Sequence, residues 1–147
     1  MKVLIQTLAS SNAGYGALVL RIPVGIIFMA HGAQKLFGWF GGYGLEGTGQ
    51  WMASIGLGAG VLMAFLAGSA EFFGGLFLLL GLLTRPAAAA LAFTMVVAIS
   101  AVHLENGLFL SNNGYEFGLA LLAASVSLAF SGAGKVALDT GIAKKLA

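Results

Sequence analysis

The chain has 147 residues, of which 59% are hydrophobic and 8% charged, and its mean hydropathy is +0.98. This composition excludes an ordinary soluble domain and predicts an all-α integral membrane protein. The net charge of +2 comes from scattered basic residues that form no nucleic-acid patch, and the absence of cysteine excludes disulfides, thiolate metal sites and an internal dithiol relay.

Four segments are apolar and long enough to cross a bilayer. A helix needs about 20 apolar residues to span about 30 Å of hydrocarbon, and the segments at about 16–37, 58–83, 86–104 and 115–131 qualify. We therefore predict a single transmembrane domain over residues 1–147, folded as a four-helix bundle. Residues 1 to about 14 carry one lysine and a polar break, which favours a cytoplasmic leader over a cleaved signal peptide.

The connections between the spans have recognisable chemistry. The long glycine-rich first loop, GWFGGYGLEGTGQWMASIGLG, is expected to carry a short interfacial helix capped by Thr48 and ending before Gly56. In the second loop, Pro86 fits the first turn of the next helix, where its missing N–H has no cost. The third loop, ENGLFLSNNG, is polar enough to leave the bilayer.

Basic residues are distributed unequally between the two sides of the predicted bundle. Lys35 flanks one side, whereas the other side has five basic residues, namely Lys2, Arg85, Lys135, Lys144 and Lys145. By the positive-inside rule both termini are cytoplasmic, and the first and third loops face outward. The predicted location is a bacterial inner membrane, crossed several times.

Small residues on two spans predict close helix packing. On the second span one face contains Gly60, Ala64, Ala67, Gly68, Glu71 and Gly75. On the fourth span the corresponding face contains Glu116, Ala120, Ala123, Ala124 and Ser127. We expect both faces to point into the bundle, with the glutamates inward, and we expect the protein to form homo-oligomers in membrane lipid.

Arg21 and Glu71 are predicted to lie at matching depth, counted from the ends of their spans. An ion pair between them would keep both charged in a low dielectric. Two roles remain open for this pair: it fixes helix register, or it takes part directly in handling a ligand or protons.

Polar residues near the outward ends of the spans predict a pocket on that side. The predicted pocket residues are His31, Gln34, Lys35, His103, Glu105 and Glu116. Structural explanations exist for several of them. Lys35 can extend to the interface, His103 can be interfacial, Glu105 can belong to the loop edge, and Glu116 can interact with the helix dipole.

A quinone fits this pocket better than haem does. Its carbonyl oxygens need donors such as His31 and Lys35, and its ring needs flat apolar walls such as Phe28, Phe37, Phe72 or Phe73. Two histidines on different helices could ligate haem, but such a placement is common by chance. No metal site is predicted.

Four stretches together resemble the DoxX family of small bacterial inner-membrane proteins. They are RIPVGIIFMAHGAQKLFGWFGG, GTGQWMASIG, AEFFGGLFLLLGLLTRPAAAALAFTMVVA and NGYEFGLALL, and they cover about residues 15–140. The resemblance implies a four-helix membrane fold. It also places Arg21, His31, Lys35, Glu71, Arg85 and Glu116 at the family's characteristic polar positions.

The resemblance further implies links to redox chemistry. Some members of the family are subunits of a thiosulfate:quinone oxidoreductase, and others are associated with quinone or catechol detoxification and oxidative-stress defence. This chain has no cysteine for direct sulfur transfer. It is therefore interpreted as a quinone-associated redox or stress-response component, or a subunit of a quinone-linked oxidoreductase working with a redox partner protein.

Two other functions stay open from the sequence. The first is a non-catalytic anchor or assembly subunit, in which polar residues only specify helix packing. The second is a small proton-coupled transporter, because acidic, basic and histidine side chains along an interior stripe can pass protons.

Overall fold

The computed structural model describes residues 1–146, in which all regular secondary structure is helical. Seven α-helices follow in chain order, and this described part contains no strand. Their bounds are α1 Lys2–Ala9, α2 Gly14–Phe37, α3 Gly44–Ser54, α4 Gly60–Leu80, α5 Thr84–Ala98, α6 Glu116–Ser131 and α7 Leu138–Leu146.

Three helical segments are long and apolar enough to cross a membrane. They are Gly14–Phe37, Gly60–Leu80 and Thr84–Asn106. The last of these segments consists of α5 and its helical continuation beyond Ala98. The fourth predicted span corresponds to α6, which has 16 residues and is shorter than the other three. Helices α2, α4, α5 and α6 pack around a shared core that includes Phe28, Leu78, Leu91 and Leu128, all fully buried.

Helices α2 and α4 form the closest helix pair because glycines face each other along their contact. A Cβ atom at Gly75 would lie 2.6 Å from both the Gly25 oxygen and the Met29 nitrogen. One at Gly32 would lie 2.7 Å from the Gly68 oxygen. These contacts set an antiparallel register in which Gly25 lies level with Gly75 and Gly32 with Gly68.

The interior face of α6 differs from the predicted one. Its buried residues are Leu121, Ser125 and Leu128. Ala120, Ala123 and Ser127, which we expected to face inward, are exposed. The sequence was misleading here because lipid accepts small apolar side chains as readily as a packed interior does.

The first loop contains α3, which packs against α2 and α4. Because α3 begins at Gly44, Thr48 lies inside the helix and is buried there, so the prediction that it caps the helix is wrong. The helix ends at Ser54, before Gly56.

Helices α1 and α7 pack together at the end of the bundle where both chain ends lie, called here the terminal end. The opposite end, with α3 and the loop after α5, is called the pocket end. At the terminal end Asp139 of α7 is buried, and its two carboxylate oxygens accept hydrogen bonds from the main-chain nitrogens of Leu83 (2.8 Å) and Thr84 (2.9 Å). A side chain distant in sequence thus caps the N-terminus of α5.

Arg21 is fully buried at the terminal end and bonds to main-chain carbonyls. Its Nη1 donates to the oxygens of Leu78 (2.9 Å) and Leu79 (2.8 Å), near the end of α4. The other donors reach the segment before α7, where Nε donates to Ala133 (3.1 Å) and Nη2 to Val136. The guanidinium therefore satisfies the Leu79 carbonyl, which the end of α4 leaves without a partner, and adds a second donor to the Leu78 carbonyl, which also accepts from the Gly81 nitrogen.

The predicted Arg21–Glu71 ion pair is not formed. Arg21 lies level with Leu78 and Leu79, which are two helical turns, or about 11 Å, from Glu71 along α4. Depth counted from the predicted span ends gave the wrong level, because it did not include the register set by the facing glycines.

Arg85 makes a similar link at the same end. Its Nη1 donates to the carbonyls of Ala129 (3.0 Å) and Phe130 near the end of α6, and its Nη2 donates to Ser10 (3.1 Å), directly after α1. Arginine side chains thus connect the ends of α4 and α6 to segments close to both chain ends.

Candidate functional site

A cavity of about 380 Å³ lies at the pocket end of the molecule. Its walls come from α2, α3, α4, α5 and α6 and from the loop that joins α5 to α6. Most of the lining is apolar, including Phe28, Trp51, Met52, Met95 and Phe117. A volume of 300–1,000 Å³ with apolar walls and a few polar groups is typical of small-molecule sites.

An ion pair between Lys35 and Glu71 forms part of the cavity wall. The Lys35 Nζ lies 2.6 Å from the Glu71 Oε2, and it is the one salt bridge within residues 1–146. The Glu71 side chain is 4% exposed, whereas the Lys35 side chain is 22% exposed. Both line the cavity, so the lysine is the member of the pair that a ligand can reach more easily.

His31 lies one helical turn before Lys35 on α2 and also lines the cavity. Its ring centroid is 6.5 Å from that of Phe117 on α6, and the ring planes are inclined by 49°. The imidazole is exposed rather than buried in the core. It can therefore offer a hydrogen bond to a molecule in the cavity.

A fourth polar side chain at the cavity, that of His103, is positioned by a π-helical turn. This turn, Ile99–His103, continues α5 and is followed by a 3-10 turn, Leu104–Asn106. Turns of this type widen a helix locally and are frequent at functional sites. The turn places Ala101, Val102 and His103 on the cavity wall.

One hydrogen bond fixes the His103 ring. Its Nδ1 lies 2.8 Å from the main-chain oxygen of Asn113, to which the Asn106 Nδ2 also donates (3.2 Å). Because a carbonyl oxygen only accepts, Nδ1 must carry the proton. In the neutral ring Nε2 is then an acceptor, which makes His103 complementary to a ligand hydroxyl.

The structure brings together only half of the predicted pocket residues. His31, Lys35 and His103 line the cavity, and Glu71, expected to pair with Arg21, lines it with them. The other three predicted residues, Gln34, Glu105 and Glu116, are not on its wall.

These three residues have other positions. The Gln34 Nε2 donates to the Phe40 oxygen (3.3 Å), and Glu105 is exposed in the 3-10 turn. The Glu116 Oε1 accepts from the Leu110 nitrogen at 2.6 Å, so it holds the loop above α6. Sequence position gave their approximate depth but not the direction in which their side chains point.

The aromatic walls also differ from those predicted. Phe28 lines the cavity, whereas Phe37, Phe72 and Phe73 do not. Those three stack edge to face in a separate row, with ring centroids 5.4 Å apart in each pair. Trp51 and Phe117 supply the aromatic surface instead. Trp51 could not be placed from the sequence, because its position depends on how α3 folds back over α2 and α4.

Metal binding has no candidate ligand set in the described part of the chain. No group of three or more histidine, cysteine, aspartate or glutamate side chains is close enough within residues 1–146 to hold an ion.

Comparison with known proteins identifies one family. The DoxX family model matches residues 16–104. The chain is 38% identical over 129 residues, 88% of each protein, to a Bacillus subtilis protein named "Putative oxidoreductase CatD". It is 32% identical to the Escherichia coli "Inner membrane protein YphA", over 83% of this chain and 86% of that protein.

A further relative is an uncharacterized membrane protein of Mycobacterium tuberculosis, 33% identical over 87% of this chain and 82% of its own length. No solved structure matches the chain significantly.

Proposed function

This chain belongs to the DoxX family of membrane proteins, and we propose that it is a quinone-associated redox or stress-response component whose cavity holds the quinone. One observation carries the proposal. The Lys35–Glu71 pair and His31 lie together on the wall of an otherwise apolar cavity. The name of the Bacillus subtilis relative, an oxidoreductase, supports the same class of function.

The lining suits a ring with carbonyl groups on its edge. Lys35 and His31 offer donors to such oxygens, and Phe28, Trp51 and Phe117 offer flat apolar contacts. A bound quinone would supply two-electron, two-proton chemistry. His31 and His103 are placed to give or accept a proton at its oxygens, whereas the more deeply buried Glu71 holds the Lys35 ammonium in position.

The electron donor is proposed to lie outside this chain. It has no cysteine with which to pass electrons through a dithiol. We therefore infer a redox partner protein, with this chain contributing the quinone site.

For the membrane arrangement, we propose α6 as a fourth span and the terminal end as cytoplasmic. Helix α6 packs against α5 and shares the core of the longer helices. The basic side chains support the orientation, since Lys35 stands alone toward the pocket end while Lys2, Lys135, Lys144 and Lys145 belong to segments at the terminal end. The cavity then faces the periplasmic half of a bacterial inner membrane.

The proposal is tested by quinone retention. Protein extracted from its own membrane in mild detergent is expected to retain ubiquinone or menaquinone at about one molecule per chain, measured by native mass spectrometry. His31→Ala should lower affinity about tenfold, which corresponds to one lost hydrogen bond.

The matched control is Ile26→Ala, which truncates a 53%-exposed side chain of the same helix outside the cavity. This variant should bind quinone like the wild type. Absence of saturable binding to the wild-type protein would contradict the proposed function, and equal affinity in His31→Ala would contradict the role of His31.

A further inference from the structure

The seam between α2 and α6 is more deeply buried toward the terminal end than toward the pocket end. Along one edge of α6 the exposed fraction rises from 0% at Leu128 to 6% at Leu121 and 40% at Phe117. On the facing edge of α2, Leu20 and Ile27 pack against the core, whereas His31, one turn further along, is exposed. The seam is therefore less deeply buried at the level of His31 and Phe117 than at the level of Leu20 and Leu128.

The exposed part of the seam, called here its opening, borders the cavity and is bridged by two side chains. His31 and Phe117 both line the cavity, and their ring centroids are 6.5 Å apart across the seam. His31 lies six residues, or about 9 Å, before the end of α2 at Phe37. The opening therefore lies beside the apolar part of the helices, below their ends.

The end of the cavity nearest the aqueous phase is covered by other segments. Trp51 and Met52 of α3 line it from one side, and Leu110 and Asn113 of the loop line it from the other. This loop is held in place by the bond from the Leu110 nitrogen to Glu116 and by the contact between His103 and Asn113. These segments lie between the cavity and that end of the molecule.

We propose that the seam framed by His31 and Phe117 is a lateral portal, and that the ligand is a polar aromatic head on a long apolar tail that stays in the bilayer. This inference rests on the proposed function and names the kind of quinone that the same cavity takes. A cavity of about 380 Å³ accommodates a ring-sized head, whereas a polyprenyl chain has to leave it. The seam supplies an exit into lipid.

A plug at the portal tests this inference. Because the natural chain has no cysteine, Phe117→Cys provides a single thiol at the seam, which a benzyl thiosulfonate reagent converts into a bulky adduct. In lipid nanodiscs the adduct is expected to weaken binding of ubiquinone-10 about tenfold or more. Binding of the tailless ring, ubiquinone-0, should weaken by a clearly smaller factor, since the adduct disturbs its contact with Phe117 but obstructs no tail; both factors are measured against the unmodified Phe117→Cys protein.

The matched control is Phe130→Cys, on the same helix but 79% exposed and close to the terminal end. The same adduct there should leave binding of both quinones unchanged. If the adduct at position 117 weakens neither quinone, or weakens both equally, the portal is wrong. If wild-type protein binds neither quinone, the proposed function fails.

A second measurement needs no ligand, so it tests the portal independently of whether the protein binds quinone. A nitroxide attached to Phe117→Cys in nanodiscs is expected to collide with dissolved oxygen, which concentrates in lipid, more often than with a water-soluble nickel chelate. Greater accessibility to the nickel chelate would mean that the cavity opens to water, and it would overturn the portal even if quinone binds.

Discussion

The two ends of the molecule use charged side chains in opposite ways. At the terminal end Arg21, Arg85 and Asp139 bond to main-chain groups of distant segments. At the pocket end Lys35 and Glu71 bond to each other beside an open cavity. The charged side chains at the terminal end thus form hydrogen bonds with main-chain groups at helix ends. Charge at the pocket end stays available to a bound molecule.

The largest expected effect on stability comes from removing the buried guanidinium of Arg21 at the terminal end. Arg21→Met leaves the carbonyls of Leu79, Ala133 and Val136 without the Arg21 donor. We expect a loss of about 3 kcal/mol or more in the free energy of unfolding, since each buried acceptor left unpaired costs about 1–3 kcal/mol. Unfolding by titration of sodium dodecyl sulfate into mild detergent measures this change.

Arg21→Lys is the control for this variant, because one ammonium group restores part of the donor set and should recover part of the stability. The residual folded Arg21→Met protein should still bind quinone, as its cavity residues are unchanged. If Arg21→Met were as stable as the wild type, the hydrogen bonds of Arg21 would not stabilise the terminal end. The difference drawn here between the two ends would then be wrong.

The pocket-end ion pair should give a smaller and asymmetric effect. Lys35→Met strands a carboxylate that is 4% exposed, whereas Glu71→Gln frees an ammonium group that is 22% exposed and can turn toward the cavity. We expect a loss of about 2 kcal/mol in unfolding free energy for Lys35→Met and of less than about 1 kcal/mol for Glu71→Gln.

The double variant, Lys35→Met with Glu71→Gln, completes the cycle. Because it strands no charge, it should be more stable than Lys35→Met alone, although it should bind quinone poorly. Additive losses in the double variant would show that the two side chains are not energetically coupled.

The smallest expected effect concerns the cap of α5. Asp139→Asn keeps one acceptor for the main-chain nitrogens of Leu83 and Thr84 and loses the other, together with the negative charge near the helix N-terminus. We expect a loss of about 1 kcal/mol in the free energy of unfolding. Quinone affinity should not change, and a loss of affinity would mean that the terminal end also affects the cavity.

Much of the fold could be predicted because the bilayer imposes a strong constraint on sequence. Long apolar runs gave three helices with bounds within a few residues, and Pro86 correctly marked the first turn of α5. Side-chain pairing across helices was harder to predict, because it depends on register. The glycines at 25 and 32 on α2 and at 68 and 75 on α4 share a seven-residue spacing. This shared spacing is the sequence signal for the register of the two helices.

The cavity was only partly predictable for related reasons. His31, Lys35 and His103 could be found because ionisable groups in apolar helices are rare. The π-helical turn that orients His103 has no clear sequence signal. Glu116 is a type of residue that is common in functional sites, yet its carboxylate accepts a hydrogen bond from the Leu110 nitrogen.

The shortness of α6 has a consequence for the surrounding lipid. Its 16 residues measure about 24 Å at 1.5 Å per residue, less than the hydrocarbon thickness of about 30 Å. If α6 spans the bilayer as proposed, it creates hydrophobic mismatch along one side of the molecule only. A short span is accommodated by local thinning of the bilayer, by flanking side chains that extend to the interface, or by association with another copy. Each of these responses would be confined to the side of the molecule formed by α6.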